Sequence, residues 1–258
     1  GGGCSTAYRN AISDVTDAGV TVVSSSGNSA EEYPGVKGYP ASCENVISVG
    51  AVNPLSQRAY YSTYNDELDV AAPGGTTGTD LNGDGQSDGI LAFDGSENLA
   101  YYQGTSMASP HAAGAIALIY ALKPEWDAVQ MEAFIMSGYF TDDIGTEGKD
   151  DEFGYGLINL DKAFTNLIDG GLDFTYATIT PGSFNFGYTD TEKLVTISKV
   201  GTGDLSVTQV TTPNTGLVTI SAEDVDVNGF GTYKITLIRG DVPDGTYNGS
   251  VVAELSDD

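Results

Sequence analysis

The 258-residue sequence carries 36 Asp and Glu against 10 Lys and Arg, so its formal net charge is −26 at pH 7. A chain this acidic repels nucleic acids and anionic lipid surfaces, and we expect neither as a partner. No apolar run approaches the ~20 residues of a membrane-spanning helix, and two cysteines with one histidine do not supply a closed zinc site.

The N-terminal third alternates a predicted helix with short apolar strands. The predicted elements are a helix over Ala7–Ala18, a buried strand from Val20 to a Gly-Asn turn at Asn28, and strands over Val46–Ala51 and Leu68–Gly74. Such alternation is typical of an α/β fold with a mostly parallel sheet and helices on both faces.

Cys4 and Cys43 flank the helix and the strand that ends at Asn28. In an oxidising compartment a disulfide between them would contribute ~3 kcal/mol in the loop-entropy model. The alternative is two buried thiols, and the sequence leaves both open.

An acidic loop lies between the strands and the later helix. It places oxygen-bearing side chains at alternate positions, with Gly85 sixth. The candidate ligands are Asp80, Asn82, Asp84, Gln86 and Asp88. Ca²⁺ prefers six to eight oxygen ligands, and this spacing delivers several from one tight turn. Leu91 stands where an EF-hand has its glutamate, so we expect a calcium loop of another type; the alternative is a solvated acidic turn.

The segment Gly104–Gly114 reads Gly-Thr-Ser-Met-Ala-Ser-Pro-His-Ala-Ala-Gly and opens an apolar helix that ends at Lys123-Pro124. Because its apolar residues lie on nearly all sides, the helix is predicted to be buried. Ser106 lies in the first turn, where the positive helix end stabilises an alkoxide or oxyanion. Ser and Thr also cap helices for purely structural reasons, so this feature alone allows both interpretations.

The sequence changes character at about residue 169. Asp169-Gly170-Gly171 interrupts the helical pattern, and short β-branched runs separated by turn residues follow. The predicted strands are Leu194–Ser198, Leu205–Val210, Val218–Ile220, Tyr233–Ile238 and Gly249–Leu255. We therefore divide the chain into residues 1–168 and an all-β domain at 169–258, which resembles immunoglobulin-like or fibronectin-like sandwiches.

The segment Gly104–Gly114 resembles the nucleophile motif of the subtilisin-like serine proteases, the subtilases. The resemblance covers about residues 1 to 165. Its other parts are the strand ending at Asn28, the strands Val46–Ala51 and Leu68–Gly74, and the closing segment Phe153–Phe164. It implies a subtilisin-like α/β fold and a secreted serine endopeptidase that acts on polypeptides.

The resemblance also implies roles for individual residues. Ser106 would be the nucleophile, and Asn28 would donate its side-chain amide to the oxyanion beside the backbone N–H of Ser106; without Ser106, a Gly-Asn pair would be read as an ordinary turn. Two segments would wall the substrate cleft, namely Gly1, Gly2 and Gly3, and Ser24, Ser25, Ser26 and Gly27. Their small side chains imply an open pocket and broad specificity.

A serine nucleophile requires a histidine base oriented by a carboxylate. In the family both precede the asparagine, but no histidine precedes Asn28 here; the single histidine, His111, is implied to be structural. We expect the N-terminal part of the protease domain, with the aspartate and histidine, to lie outside this sequence. Three explanations stay open: a protease cleaved into two associated chains, part of a longer polypeptide, or an inactive scaffold that binds partners through its β-sandwich.

Overall fold

The computed structural model describes residues 3–169, 175–181, 184, 186, 190–201, 203–213, 216–238 and 250–256. The chain divides into two compact units, Gly1–Leu172 and Asp173–Asp258. The predictions for Gly1 and Gly2 lie outside the described residues. Within the described ranges, no helix combines the length and hydrophobicity needed to cross a bilayer.

The first unit is an α/β fold. Its helices are α1 (Thr6–Asp17), α2 (Thr105–Leu122), α3 (Ala128–Met136) and α4 (Leu160–Asp169). Its strands are β1 (Val22–Ser25), β2 (Val46–Val52), β3 (Val70–Pro73), β4 (Ile90–Phe93), β5 (Leu99–Tyr102), β6 (Thr141–Asp142) and β7 (Leu157–Ile158). Five of these strands form one sheet in the order β1-β2-β3-β7-β6, while β4 and β5 form a separate hairpin. The strands β1, β2, β3 and β7 run parallel, and β6 pairs antiparallel with β7. The prediction of a mostly parallel α/β sheet is confirmed.

The core of this unit lies between α2 and the sheet. Every residue of β2 is buried; β1 and β3 flank it, and α2 packs across all three strands. The prediction that α2 is buried holds for one face only: Ala112 and Ile119 are buried, but Leu118 and Leu122 are exposed. Strand β1 was also predicted to be buried, and it is half-buried because it forms the edge of the sheet.

A disulfide joins Cys4, just before α1, to Cys43, just before β2. The two residues are 39 positions apart in sequence, and their Cα atoms are 5.4 Å apart. Cys43 is buried in a small apolar cluster with Ile12 of α1 and Val46 of β2. The disulfide therefore fixes the beginning of α1 to the beginning of a central strand.

The second unit is built from antiparallel strands. They are β8 (Tyr176–Thr180), β9 (Glu192–Val200), β10 (Ser206–Thr211), β11 (Val218–Val225), β12 (Gly231–Leu237) and β13 (Val252–Ser256). One sheet has the order β11-β12-β9-β8, and β10 pairs with β13 in another. Ile179 of the first sheet and Val207 and Ala253 of the second pack on a shared buried cluster around Ile197 and Tyr233. The β-sandwich stays a prediction.

Candidate active site

Ser106 lies in the first turn of α2, and its side chain is exposed to solvent. The helix follows Gly104, whose φ is 146°. Residues with a Cβ atom rarely adopt this backbone conformation. Within the described part of the chain, the Ser106 hydroxyl has no hydrogen-bond partner. The Ser106 N–H, which has no acceptor among the described residues, and the positive dipole of the helix start lie beside this hydroxyl.

Asn28, which follows β1, is held against the start of α2 by Thr105. The Oδ1 atom of Asn28 accepts hydrogen bonds from the backbone N–H and the hydroxyl of Thr105, both at 2.9 Å. The same hydroxyl accepts a hydrogen bond from the backbone N–H of Gly27 at 3.2 Å. These contacts fix which end of the Asn28 amide faces the helix.

The donor end of the Asn28 amide remains available. Among the described residues, its Nδ2 atom has no hydrogen-bond partner. A Cβ atom built on Gly104 would lie 3.4 Å from Nδ2 of Asn28 and 3.7 Å from the backbone nitrogen of Ser106. The side-chain amide and the Ser106 N–H therefore border the same space at the start of the helix.

Tyr61 supports the start of α2 through hydrogen bonds of its hydroxyl group. Its hydroxyl accepts a hydrogen bond from the Gly104 N–H at 2.9 Å and lies 2.9 Å and 2.7 Å from the carbonyl oxygens of Gly74 and Gly75, to which it donates. Tyr61 is 6% exposed, and burial raises its pKa to about 12. The phenol is therefore a neutral bridge between the end of β3 and the residue before Thr105.

Thr105 and Tyr61 support the site, but the sequence pattern predicts no role for either residue. Thr105 lies inside the recognised motif, so its proximity to Ser106 was the available signal. Tyr61 precedes Gly104 by 43 positions, and no local pattern predicts that they meet.

The predicted cleft residues differ in accessibility. Ser24 and Ser25 are half-buried at the end of β1, and Gly27 has a φ of 114°. Ser26 is buried, and its hydroxyl donates to the carbonyl oxygen of Thr63 at 2.9 Å. Gly3 is exposed beside Tyr39. Ser26 can therefore contribute its backbone, but not its hydroxyl, to a cleft wall.

His111 contacts its own helix. Its Nδ1 atom donates to the carbonyl oxygen of Met107 at 2.7 Å, and the side chain is exposed. The imidazole is thus engaged one turn back along α2, which suits a structural residue rather than a base for Ser106.

The predicted calcium loop is closed by hydrogen bonds to its own backbone. The carboxylate of Asp80 accepts from the N–H groups of Asp84 and Gly85, both at 3.0 Å. Asn82 Oδ1 also accepts from the Asp84 N–H at 3.0 Å. The side-chain oxygen of Gln86 accepts a hydrogen bond from the Tyr101 hydroxyl. The Gln86 side chain therefore lies against the β4–β5 hairpin and not in the loop.

Asp88, which ends this loop, and Thr76, which precedes it, offer buried oxygen atoms that suit a hard cation. Asp88 is 7% exposed and accepts from the Thr79 hydroxyl and the Leu81 N–H, but no described Lys or Arg pairs with it. The buried Thr76 hydroxyl has no hydrogen-bond partner in the described residues, and the Thr76 N–H donates to the Asp88 carbonyl. Buried carboxylates are normally paired or bound to a metal. The oxygen donors fit Ca²⁺ in kind, yet nowhere in the described ranges do three His, Cys, Asp or Glu side chains group to hold a metal.

Comparison with known proteins places the first unit among proteases. A sequence profile described as the Subtilase family matches residues 1–156. The chain is 35% identical over 171 residues to an extracellular protease of Xanthomonas campestris pv. campestris, a match that covers 66% of this chain and 28% of the relative. It is 35% identical over 162 residues to a subtilisin of Bacillus pumilus, covering 62% of this chain and 52% of the subtilisin.

A solved structure gives the same result. A protease from Pseudoalteromonas arctica superposes with a TM-score of 0.54 at 32% identity, over 64% of this chain and 48% of that one. The chain thus spans about half, or less, of the length of these three proteins.

Proposed function

Because this chain belongs to the subtilase family of serine proteases, we propose that it is the nucleophile-bearing part of a secreted serine endopeptidase. One observation carries the proposal: the unpartnered Nδ2 of Asn28 and the backbone N–H of Ser106 border one space at the start of α2. A substrate carbonyl oxygen in that space would receive two hydrogen bonds as it becomes negatively charged.

The reaction would be acyl transfer to serine. The Ser106 oxygen attacks the scissile carbonyl carbon, while a histidine base takes the hydroxyl proton. The oxyanion accepts hydrogen bonds from Asn28 and from the Ser106 N–H until the C–N bond breaks and the histidine returns the proton to the leaving amine. Water then attacks the acyl-enzyme by the same route and frees Ser106. Losing one oxyanion donor typically reduces kcat by ~10²–10³.

We propose that the histidine and its aspartate come from residues outside this sequence. The chain contains one histidine, and that residue is bonded to Met107. The Ser106 hydroxyl has no partner among the described residues, as expected for a serine whose base is supplied from elsewhere.

The proposal of an extracellular protein has two supports. One relative is named as an extracellular protease, and the Cys4–Cys43 disulfide suits an oxidising compartment.

Calcium is proposed as a structural ion at residues 80–88. Asp80, Asn82, Asp84 and Asp88 would supply oxygens, and the ion would neutralise charges that the loop now holds close together. No step of the peptide-bond chemistry passes through it.

Fluorophosphonate labelling of the native protein that carries this chain tests the proposal. We expect covalent modification at Ser106, located by peptide mass spectrometry, and none in the Ser106→Ala variant. A folded protein with an unmodified Ser106 would contradict catalysis and favour an inactive scaffold.

A further inference from the structure

Four large apolar side chains share one face of the β4–β5 hairpin. Leu91 lies opposite Tyr101, and Phe93 lies opposite Leu99. Because directly opposed residues in an antiparallel pair point to the same side, and residues two apart along a strand do so too, all four project from one face. Leu91, Tyr101, Phe93 and Leu99 are 51%, 38%, 73% and 60% exposed. We call these four residues the apolar hairpin face; such contiguous exposed patches mark interaction sites.

The hairpin holds this face in a fixed shape. At its tip, the Asp94 carboxylate accepts from the N–H groups of Ser96 and Asn98 at 2.7 and 2.9 Å, and the Asn98 and Ser96 hydrogen bonds lower the pKa of Asp94. At its base, Gln103 Oε1 accepts from the N–H and the hydroxyl of Thr77 at 2.6 and 2.8 Å. A surface ordered in advance loses little entropy when a ligand binds.

Strand β5, which carries Leu99 and Tyr101 of the apolar hairpin face, is followed directly in sequence by the nucleophile motif. Tyr101 precedes Ser106 by five residues, so their Cα atoms are at most ~17 Å apart, the reach of five extended residues. Between them, Gln103 Nε2 donates to the Tyr60 hydroxyl at 2.7 Å. Tyr60 is itself half exposed, so it adds a further aromatic side chain between the hairpin and Gly104.

The chain around the apolar hairpin face carries negative charges and no positive ones. Residues 59–122 contain no Lys or Arg. Asp94 and Glu97 lie in the turn of the hairpin, and Asp80, Asp84 and Asp88 just before it keep one net negative charge when the proposed Ca²⁺ is bound. A ligand that complements this surface is apolar where it meets the face and positively charged around it.

We propose that the apolar hairpin face docks a segment of the polypeptide substrate that is rich in apolar and basic residues and lies outside the residues next to the bond that is cleaved. The proposal rests on the proposed function, because it takes Ser106 as the point of cleavage. It concerns selection of the substrate at a distance from the cleavage site.

The test compares peptides in the native protein that carries this chain. Two fluorogenic peptides share one short cleavable core; one has a ten-residue extension of Leu, Phe and Lys, and the other has an extension of Ser, Gly and Asp. Each extension is placed on either side of the core in separate peptides, and the core alone is the third substrate. The variant is Phe93→Ser with Leu99→Thr, and the control is Ala92→Thr, on the opposite face of β4.

We expect kcat/KM for the apolar-basic peptide to exceed that for the acidic peptide by about tenfold at low salt, and less at high salt because charges are screened. The double variant should lose most of this preference and still cleave the core peptide normally, whereas Ala92→Thr should behave as the unmodified protein.

Each contrary outcome has a distinct meaning. Cleavage of the core without any preference between extensions would overturn the docking proposal alone, while no cleavage and no labelling of Ser106 would overturn the proposed function. Light scattering that shows a dimer dissociated by the double variant would make the face an interface between copies. A Phe93→Cys variant that resists thiol reagents in the native protein would show that the rest of the chain covers the face.

Discussion

The Tyr61 hydroxyl accepts a hydrogen bond from the backbone N–H of Gly104 at 2.9 Å. Gly104 also donates to the carbonyl oxygen of Gly74 at 3.0 Å, and Tyr61 donates to the residues at the end of β3. The nucleophile motif is therefore anchored to the end of β3 at Gly104, two residues before Ser106, both directly and through one buried phenol.

Replacing this phenol tests its role. Tyr61→Phe removes only the hydroxyl, and we expect the free energy of unfolding to fall by about 1 kcal/mol, the net value of a hydrogen bond. If the bridge also positions Ser106, kcat should fall by about tenfold with little change in KM. The control is Tyr33→Phe, at an exposed tyrosine; an unchanged kcat in Tyr61→Phe would limit Tyr61 to a structural role.

Thr105 offers a sharper test of the oxyanion site. Thr105→Val keeps the backbone contact to Asn28 but removes the hydroxyl that Asn28 and Gly27 share. We expect kcat to fall by about tenfold because the amide of Asn28 is less well fixed. Thr105→Ser retains the hydroxyl and should preserve most of the activity; equal losses in the two variants would indicate that the methyl group, not the hydroxyl, matters.

Glu132 predicts a pH dependence of stability. Burial, followed by the negative charges of Asp69 and Glu44, raises the pKa of Glu132 from 4.5 to about 7, although Lys149 acts in the opposite direction. A carboxyl with a raised folded-state pKa favours folding below its unfolded pKa, and this contribution is lost as pH rises through about 7.

Glu132→Gln should therefore have little effect near pH 4.5 and should raise the free energy of unfolding by about 1–2 kcal/mol above pH 8, a value reduced for partial solvent exposure. Urea unfolding across this range measures the difference. Glu125→Gln makes the same charge change at an exposed position of the chain. An equal gain in both variants would point to net charge instead of burial.

Calcium binding at the acidic loop predicts a loss of stability on chelation. We expect Ca²⁺ to raise the Tm of the native protein, and Asp80→Asn with Asp84→Asn to abolish most of that rise, because binding to the folded state alone stabilises it by mass action. Asp14→Asn, at an exposed position of α1, is the matched control. A Tm that does not respond to Ca²⁺ would leave residues 80–88 as an acidic turn.

The sequence is most informative where neighbouring residues in the chain form one motif or one regular pattern. Ser106 and the start of α2 follow from one motif, and the parallel sheet follows from apolar runs that alternate with a helix. Helix α3 was not predicted, although Asp127 and Gln130 form reciprocal side-chain to backbone hydrogen bonds at its start and this spacing is readable. The Asp94-Gly95 turn between apolar strands was a comparable signal for the hairpin.

Other features depend on contacts between distant parts of the chain. Ser26 was predicted to wall the cleft, but its hydroxyl is buried and donates to the carbonyl oxygen of Thr63, 37 positions away. The half-buried state of β1 depends on its place at the sheet edge, which the strand's own residues do not encode.

The disulfide between Cys4 and Cys43 encloses the exposed segment 31–36. Exposed loops are where a peptidase cuts copies of itself first. A single cut there would divide the backbone and yet leave both pieces covalently joined, with Asn28 still tethered to the sheet. Molecules cut in this way would migrate as one species in electrophoresis until a reductant is added. They would also keep Asn28, which a cut chain without the disulfide would lose with its N-terminal piece.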